Sequence, residues 1–166
     1  MKVSGAGSTL KDVEKKTVAV LESGNTTVAL ESAESKAVRT IRNKKLAGRL
    51  HPVTDVPFDN DGFPIFNSRA DIDLPGELIG PDVSDVAQFE FATRKLWDEI
   101  KDNEGLKNAF FSAEQLRQIE NGEASIAGLT WHHHQNGVRL QLVDREKHLK
   151  TGHTGGRATT GGRPNE

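Results

Sequence analysis

Cysteine and tyrosine are absent from this 166-residue chain, and only 5% of its residues are aromatic. Without cysteine, neither a disulfide nor a thiolate can hold the fold or a metal, so any bound metal must use histidine and carboxylate ligands. Long apolar runs are also missing, and we therefore expect no membrane anchor within this segment. Because 34% of the residues are hydrophobic, the chain is expected to form one domain with a modest core.

Net charge is small, −2 in all, but it is unevenly distributed. From residue 139 onward six Arg and Lys residues stand against three acids, which gives +3 there and leaves −5 for the preceding residues. A basic end can meet a phosphate backbone, although a charge run taken alone is about as often a solvated surface. The Gly155-Gly156 and Gly161-Gly162 pairs predict a flexible end, with Arg157 and Arg163 able to follow a nucleic-acid backbone.

Residues 1–48 are predicted to form a helical extension or linker, since Leu10–Leu21 and Ala29–Leu46 have apolar residues near helical spacing but few large ones. The next segment, His51–Gly80, carries four of the six prolines. It is expected to be an extended arm pinned to the domain by apolar anchors, namely Phe58, Phe63, Ile65 and Phe66. His51 lies apart from the other histidines, in a turn before Pro52, and is expected at the surface.

Two helices are predicted after this arm. Ser84 suits the N-cap of the first, which ends near Asn103–Gly105 and has an apolar face of Phe89, Ala92, Leu96, Trp97 and Ile100. Ser112 and Gln115 form a capping-box pattern for the second, which runs to about Glu120. With Phe110 and Phe111 between them, these helices are expected to form the wall against which the last segment packs.

The last segment, Thr130–Gly156, contains five of the six histidines, at positions 132, 133, 134, 148 and 153. Asn136-Gly137 between alternating apolar residues is a strong hairpin signal. It predicts strands over Gly128–His133 and Val138–Val143. The fold-back would bring histidines together, and converging imidazoles make a metal site.

A short helix is predicted to follow the second strand. Asp144 suits its N-cap, and the helix runs through His148 to about Lys150. Gly152 is its natural stop. The apolar face of the second strand is expected to pack on this helix through Leu149.

A ββα unit with a histidine pair at the end of its first strand and a histidine on its helix resembles the HNH, or ββα-metal, nucleases. TWHH, LQLV and the H-x-x-x-x-H that runs into HTGG are similar to the WHH type of the HNH/endonuclease VII superfamily and to the nuclease domain of DNase colicins. The preceding LAGRLHPVTDVPFDNDGFPIF resembles segments that lead into the C-terminal nuclease domains of bacterial polymorphic toxins. On this resemblance residues 49–166 are the nuclease domain, with the ββα-metal core at 128–156.

The resemblance implies an α+β fold, mainly helical with a C-terminal ββα-metal (HNH) module. It assigns His132 and His148 as metal ligands, His153 as a third ligand or phosphate contact, and His133 as general base. One divalent ion is implied, Zn²⁺ or Ni²⁺ by the all-histidine ligand set, with Mg²⁺ or Mn²⁺ compatible with activity. Arg139, with Arg145 as second choice, is the candidate to stabilise charge on the phosphate in the transition state.

Two features of the motif leave alternatives open. In an unbroken strand His132 and His134 share a face and His133 points away, so a site of His132, His134 and His148 rivals the first. The HNH motif usually has an asparagine on or near the second strand, where Gln141 is at best a substitute. Trp131 is expected to anchor the core rather than stack on a base.

The implied function is an antibacterial nuclease toxin that hydrolyses DNA phosphodiesters. It would be secreted or injected to act in the cytoplasm of the target bacterium, and a cognate immunity protein would protect the producing cell. One alternative is an RNase or tRNase of the same fold. Another is a zinc-stabilised nucleic-acid-binding module without turnover, whose metal would have four protein ligands.

Overall fold

The computed structural model describes residues 41–156. The predicted helix Leu10–Leu21 and the predictions on Gly161-Gly162, Arg157 and Arg163 lie outside the described residues. Of the predicted helix Ala29–Leu46 only the end is described. There the prediction was wrong, because a 3-10 turn, Lys44–Leu46, follows Asn43, whose φ of 67° is not helical.

Helices and a small sheet make up the described residues, so the predicted α+β class is confirmed. Their order is β1 (Ala70–Asp73), α1 (Asp85–Ile100), α2 (Glu104–Phe110), α3 (Ala113–Glu120), β2 (Leu129–His133), β3 (Arg139–Asp144) and α4 (Arg145–Thr151). A second 3-10 turn covers Gly76–Leu78. Within the described part of the chain no helix is long and apolar enough to cross a membrane.

The sheet is antiparallel, with β3 between β1 and β2. The β2–β3 hairpin was predicted from the Asn-Gly turn, whereas β1 was predicted to be part of an extended arm. The side chains of β1 explain why it was not predicted as a strand. Ile72 is buried against the core, but Asp71 and Asp73 are acidic residues that disfavour a strand, and only pairing with β3 makes this segment one.

Helix α1 forms as predicted, since the Ser84 hydroxyl accepts a hydrogen bond from the Ala87 amide and the predicted face packs in the core. Helix α3 begins with the predicted capping box of Ser112 and Gln115. No helix was predicted between α1 and α3, and this prediction was wrong. A further helix, α2, lies there, and Asn103 is its N-cap.

The two faces of the sheet have different neighbours. One face packs on α1 and α3 through Trp131, Leu140 and Leu142, and the Trp131 indole N–H donates to the buried Thr93 hydroxyl at 3.0 Å. Trp131 is therefore the core anchor that was predicted. On the other face Val143 packs with Val56 and Phe66 of the arm, beside α4.

Two predictions of burial were wrong: a leucine expected to be buried is exposed, and a histidine expected at the surface is buried. Leu149 is 72% exposed, so it is not the contact between α4 and the sheet. The buried residue of α4 is instead Thr151, whose hydroxyl lies 2.8 Å from the hydroxyl of Thr54 in the arm. His51, expected at the surface, is only 9% exposed, since its Nδ1 accepts from the Thr54 amide and closes the turn that carries Thr54.

Candidate metal centre and adjacent histidine

The hairpin turn determines the position of the histidines at the end of β2. The Asn136 side-chain oxygen accepts hydrogen bonds from the Val138 and Arg139 amides, and Gly137 has a φ of 81° that suits glycine. Because side chains alternate along a strand, His132 faces α4 while Trp131 and His133 face α1.

Three histidines converge between β2 and the end of α4. His132 Nδ1 lies 3.3 Å from His148 Nε2 and 3.1 Å from His153 Nε2. One nitrogen from each ring lies within 4.8 Å of the others. The predicted ligand positions are thus brought together, although they stand 21 residues apart at the extremes.

Asp144 sets the start of α4 and therefore the direction of His148. Its carboxylate accepts from the Lys147 amide at 2.8 Å, as an N-cap does. His148 then lies one turn into the helix, facing β2. Gly152, with a φ of 47°, ends the helix and lets the chain turn so that His153 faces back.

Asn43 holds this turn from outside the ββα unit. Its side-chain amide donates to the Gly152 carbonyl and, at 3.2 Å, to the Thr151 carbonyl. These carbonyls lie between His148 and His153, and a helix end needs such donors because its last carbonyls have no partner within the helix. Sequence reasoning missed Asn43, which lies far away in the chain and matches no motif.

Burial keeps the three imidazoles in the form that binds metals. Desolvation, reinforced by the neighbouring His153 and His148, lowers the pKa of His132 to about 2. Desolvation likewise lowers the pKa of His153 to about 3, with contributions from His148 and Arg42, and lowers the pKa of His148. All three rings are therefore neutral near pH 7, with nitrogen lone pairs available to a cation.

Two of the three nitrogen separations fit a tetrahedral metal. With Zn–N bonds of about 2.0–2.1 Å, two ligand nitrogens of a tetrahedral ion are about 3.3 Å apart. The separations of His132 from His153 and from His148, 3.1 and 3.3 Å, are close to that value, and the third separation lies within 4.8 Å. Among the described residues, His153 Nδ1 is the buried side-chain polar atom without a hydrogen-bond partner. The donor set therefore fits one divalent ion of borderline softness.

Phe66 covers the three histidines. Its ring centroid lies 4.9 Å from that of His132, 5.4 Å from His148 and 5.3 Å from His153. It was predicted as an anchor of the arm, and no sequence signal linked it to the histidines. An apolar ring at this distance excludes water from one side of the group and restricts the rotation of each imidazole.

His133 stands apart from this group, on the other face of β2. Its Nε2 lies 2.7 Å from the Gln88 side-chain oxygen and 3.9 Å from an Asp85 oxygen, both on α1. Phe89 packs against the ring, with centroids 5.4 Å apart. The histidine pair therefore divides into one ring directed at the candidate metal and one held by α1.

His134 and Gln141 do not take the places that the alternatives gave them. His134 Nδ1 accepts from the Asn136 amide within the hairpin turn, and His134 is not part of the group of three. The Gln141 side chain donates to Asp71 on β1 at 3.0 Å. It therefore braces the sheet rather than the loop that carries His133.

Among the described arginines, Arg42 lies close to His153, and sequence reasoning did not single it out. Its guanidinium lies 3.4 Å from the point that a Cβ at Gly152 would occupy, and its charge acts on His153. Its backbone amide donates to the Thr154 hydroxyl at 2.7 Å. Arg139 instead pairs with Asp73 on β1 at 2.9 Å, and the role predicted for it in catalysis stays a prediction.

Gly156 gives a direct test of how the chain after His153 supports the site. A Cβ at Gly156 would lie 1.9 Å from the His134 carbonyl oxygen and 2.9 Å from that of His133, whereas at Gly155 nothing lies within 4 Å. Gly156→Ala must therefore displace either β2 or the segment that carries His153. We expect Zn²⁺ affinity to fall roughly 10-fold or more, because the ligands lose their alignment.

Gly155→Ala is the matched control, and isothermal titration of both variants with Zn²⁺ makes the comparison. Gly155→Ala should bind Zn²⁺ like the wild type. Equal affinities for the two variants would show that the packing of Gly156 on β2 does not support the ligands.

Comparison with known protein families identifies a matching family. The family model described as the DNase/tRNase domain of colicin-like bacteriocins matches residues 56–155. This range includes every histidine of Thr130–Gly156, together with Phe66 and Gln88, and it begins after Arg42 and Asn43. No curated protein and no solved structure matches the chain.

Proposed function

The chain belongs to the family of DNase/tRNase domains of colicin-like bacteriocins and is a nuclease toxin domain, and on this premise we propose that it hydrolyses DNA with one divalent metal ion held by His132, His148 and His153. The observation that carries the proposal is the convergence of three neutral imidazoles, with one nitrogen of each within 4.8 Å of the others and two of the separations close to those of a tetrahedral ion. Three protein ligands are the usual number in catalytic zinc sites, which leave one position for water or substrate.

Zn²⁺ or Ni²⁺ suits the donor set best. A bound ion would act as a Lewis acid and stabilise the negative charge that develops on the phosphate and on the leaving oxygen. It would also orient the scissile phosphate beside β2. Mg²⁺ or Mn²⁺ could still support activity in an assay, although imidazole nitrogens are not the donors they prefer.

His133 is proposed as the general base. Its ring is adjacent to His132 in sequence but is not part of the ligand group, and an imidazole is matched to taking a proton near neutral pH. A water molecule loses a proton to His133 as its oxygen bonds to phosphorus, and the bond from phosphorus to the leaving sugar oxygen breaks. The leaving oxygen then takes a proton from solvent.

Arg42 is proposed as a phosphate contact. Its side chain is exposed, and its charge lies near enough to His153 to lower the pKa of that ring. A guanidinium there can donate two hydrogen bonds to phosphate oxygens. Arg139 is a weaker candidate, since Asp73 already neutralises it. Both arginines are proposed as phosphate contacts rather than as readers of bases, and we therefore propose cleavage with little sequence preference.

The proposal is tested by incubating the purified domain with plasmid DNA and with tRNA, side by side, with Zn²⁺, Ni²⁺, Mg²⁺ or Mn²⁺. DNA should be cleaved, EDTA should stop cleavage, and added metal should restore it. Cleavage of tRNA alone would establish the RNase alternative. Binding of Zn²⁺ and nucleic acid without cleavage of either would establish the non-catalytic module.

A toxin of this family also needs a route out of the cell that makes it and protection within that cell. We propose that the domain is delivered as part of a secreted or injected effector, acts in the cytoplasm of the target bacterium, and has a cognate immunity protein. Expression of the wild-type domain alone in bacterial cytoplasm should stop growth. Normal growth despite measurable nuclease activity in the lysate would count against cytoplasmic action.

A further inference from the structure

Gln88 is a buried polar residue of α1 that belongs to no predicted motif, and its side chain contacts His133. It is 4% exposed, and its side-chain nitrogen and oxygen have different partners. A buried side-chain amide is usually hydrogen-bonded, with its NH₂ group donating and its oxygen accepting. For Gln88, these two roles determine the tautomer of His133.

The orientation of the Gln88 amide is fixed by Leu78. The Gln88 Nε2 group lies 2.6 Å from the Leu78 backbone carbonyl oxygen. A carbonyl oxygen can only accept a hydrogen bond, so the NH₂ group of Gln88 must point to Leu78. The Gln88 Oε1 atom then faces His133, 2.7 Å from its Nε2.

This orientation in turn fixes the tautomer of His133. Oε1 of Gln88 can only accept, so His133 Nε2 must carry the hydrogen that forms the bond. A neutral imidazole protonated at Nε2 has its lone pair at Nδ1. The Asp85 carboxylate, 3.9 Å from the same Nε2, favours a hydrogen at that position as well.

We infer that Gln88 is a positioning residue, which orients the His133 ring and holds it in the Nε2–H tautomer, with the lone pair of the ring at Nδ1. The inference rests on the proposed function, in which His133 is the base. Gln88 thus fixes the orientation of the ring that the proposed function uses as the base.

The tautomer can be read directly by NMR. In ¹⁵N-labelled, Zn²⁺-loaded protein at pH 8, long-range ¹H–¹⁵N correlations separate protonated from unprotonated ring nitrogens. Wild-type His133 should show a protonated Nε2 and an unprotonated Nδ1. In Gln88→Met, which keeps the length of the side chain but has no amide oxygen, both tautomers should be populated. A wild-type His133 protonated at Nδ1, or an unchanged tautomer in Gln88→Met, would overturn the inference.

Kinetics then measure what the tautomer contributes. Gln88→Met should lower kcat about 10–100-fold, as loss of a group that orients a catalytic histidine does, with KM for DNA nearly unchanged. Thr93→Val is the matched control. Thr93 is also a buried polar residue of α1, and its hydroxyl bonds Trp131 rather than His133. It should lose stability while keeping kcat and the His133 tautomer, and an equal fall of kcat in both variants would contradict a specific role for Gln88.

The two proposals fail separately. The cleavage assay on the wild type decides whether the domain is a DNase, and the NMR measurement reads the tautomer whether or not DNA is cut. Zn²⁺ titration of Gln88→Met adds a third readout. Its affinity should stay within about threefold of the wild type, because Gln88 touches the base and not a ligand.

Discussion

Replacing His148 with alanine should lower Zn²⁺ affinity by at least about 100-fold, more than the loss of an outer-shell partner does, and should reduce metal-dependent cleavage to background. His148 supplies one of the three converging nitrogens, 3.3 Å from that of His132. With two ligands left, a tetrahedral ion loses a bond that no nearby described carboxylate or histidine replaces. Isothermal titration with Zn²⁺ and a plasmid cleavage assay on the same samples measure both effects.

Leu149→Ala is the control for this variant. Leu149 follows His148 on α4 and is 72% exposed, so its truncation changes the helix by about as many atoms without touching the site. It should bind Zn²⁺ and cleave DNA like the wild type. If His148→Ala binds Zn²⁺ as tightly as Leu149→Ala does, the three-histidine site is wrong and the metal is held elsewhere.

Local signals in the sequence were enough to find the ββα unit. Asn136-Gly137 dictates a tight turn, Asp144 and Gly152 bound the short helix, and these three points set the distance between His132 and His148. Each depends on interactions within a few residues, such as the Asn136 oxygen bonding the Val138 and Arg139 amides. Both partners of such an interaction lie close together in the sequence. The sequence prediction was therefore right where local interactions determine the structure.

The parts that support the unit depend on distant residues, and there the prediction failed. Asp71 and Asp73 form a strand only because β3 pairs with it. Asn43 reaches Thr151 and Gly152 across more than a hundred residues. Phe66 looked like any other aromatic anchor of the arm, yet it covers all three imidazoles. Nothing local distinguishes these residues, since their partners are set by the folded chain.

The wrong burial predictions for Leu149 and His51 have the same cause, namely contacts that the folded chain determines. Apolarity predicted that Leu149 would meet the sheet, but the helix begins at Arg145, and that start directs Thr151 inward and Leu149 outward. His51 became buried because its turn hydrogen bonds satisfy the ring nitrogen. Burial of a polar group depends on whether partners exist for it, and a sequence rarely shows those partners.

Alternation along β2 has a chemical consequence for the histidine pair. Neighbouring residues of a strand face opposite sides, so His132 turns to His148 on α4 and His133 turns to Gln88 on α1. A metal ligand and a base cannot be the same nitrogen, because coordination uses the lone pair that would take the proton. Under the proposed function, two consecutive histidines on a strand would keep the two tasks on separate rings.

Replacing His133 with alanine should therefore separate the two tasks. We expect cleavage of plasmid DNA to fall about 10²–10⁴-fold, the usual contribution of a general base. Zn²⁺ affinity should stay within about threefold of the wild type, since His132, His148 and His153 remain. Single-turnover cleavage at saturating metal, with Zn²⁺ titration in parallel, measures both quantities.

His134→Ala is the matched control, because it removes the next imidazole along the chain. His134 bonds only the hairpin turn among the contacts found for it, so its loss should cost about 1 kcal/mol of stability and leave the cleavage rate close to that of the wild type. The rival site of His132, His134 and His148 makes the opposite prediction, namely that His134→Ala loses Zn²⁺. Full cleavage by His133→Ala would remove this residue as the base, and Gln88 would then orient a ring without a part in the reaction.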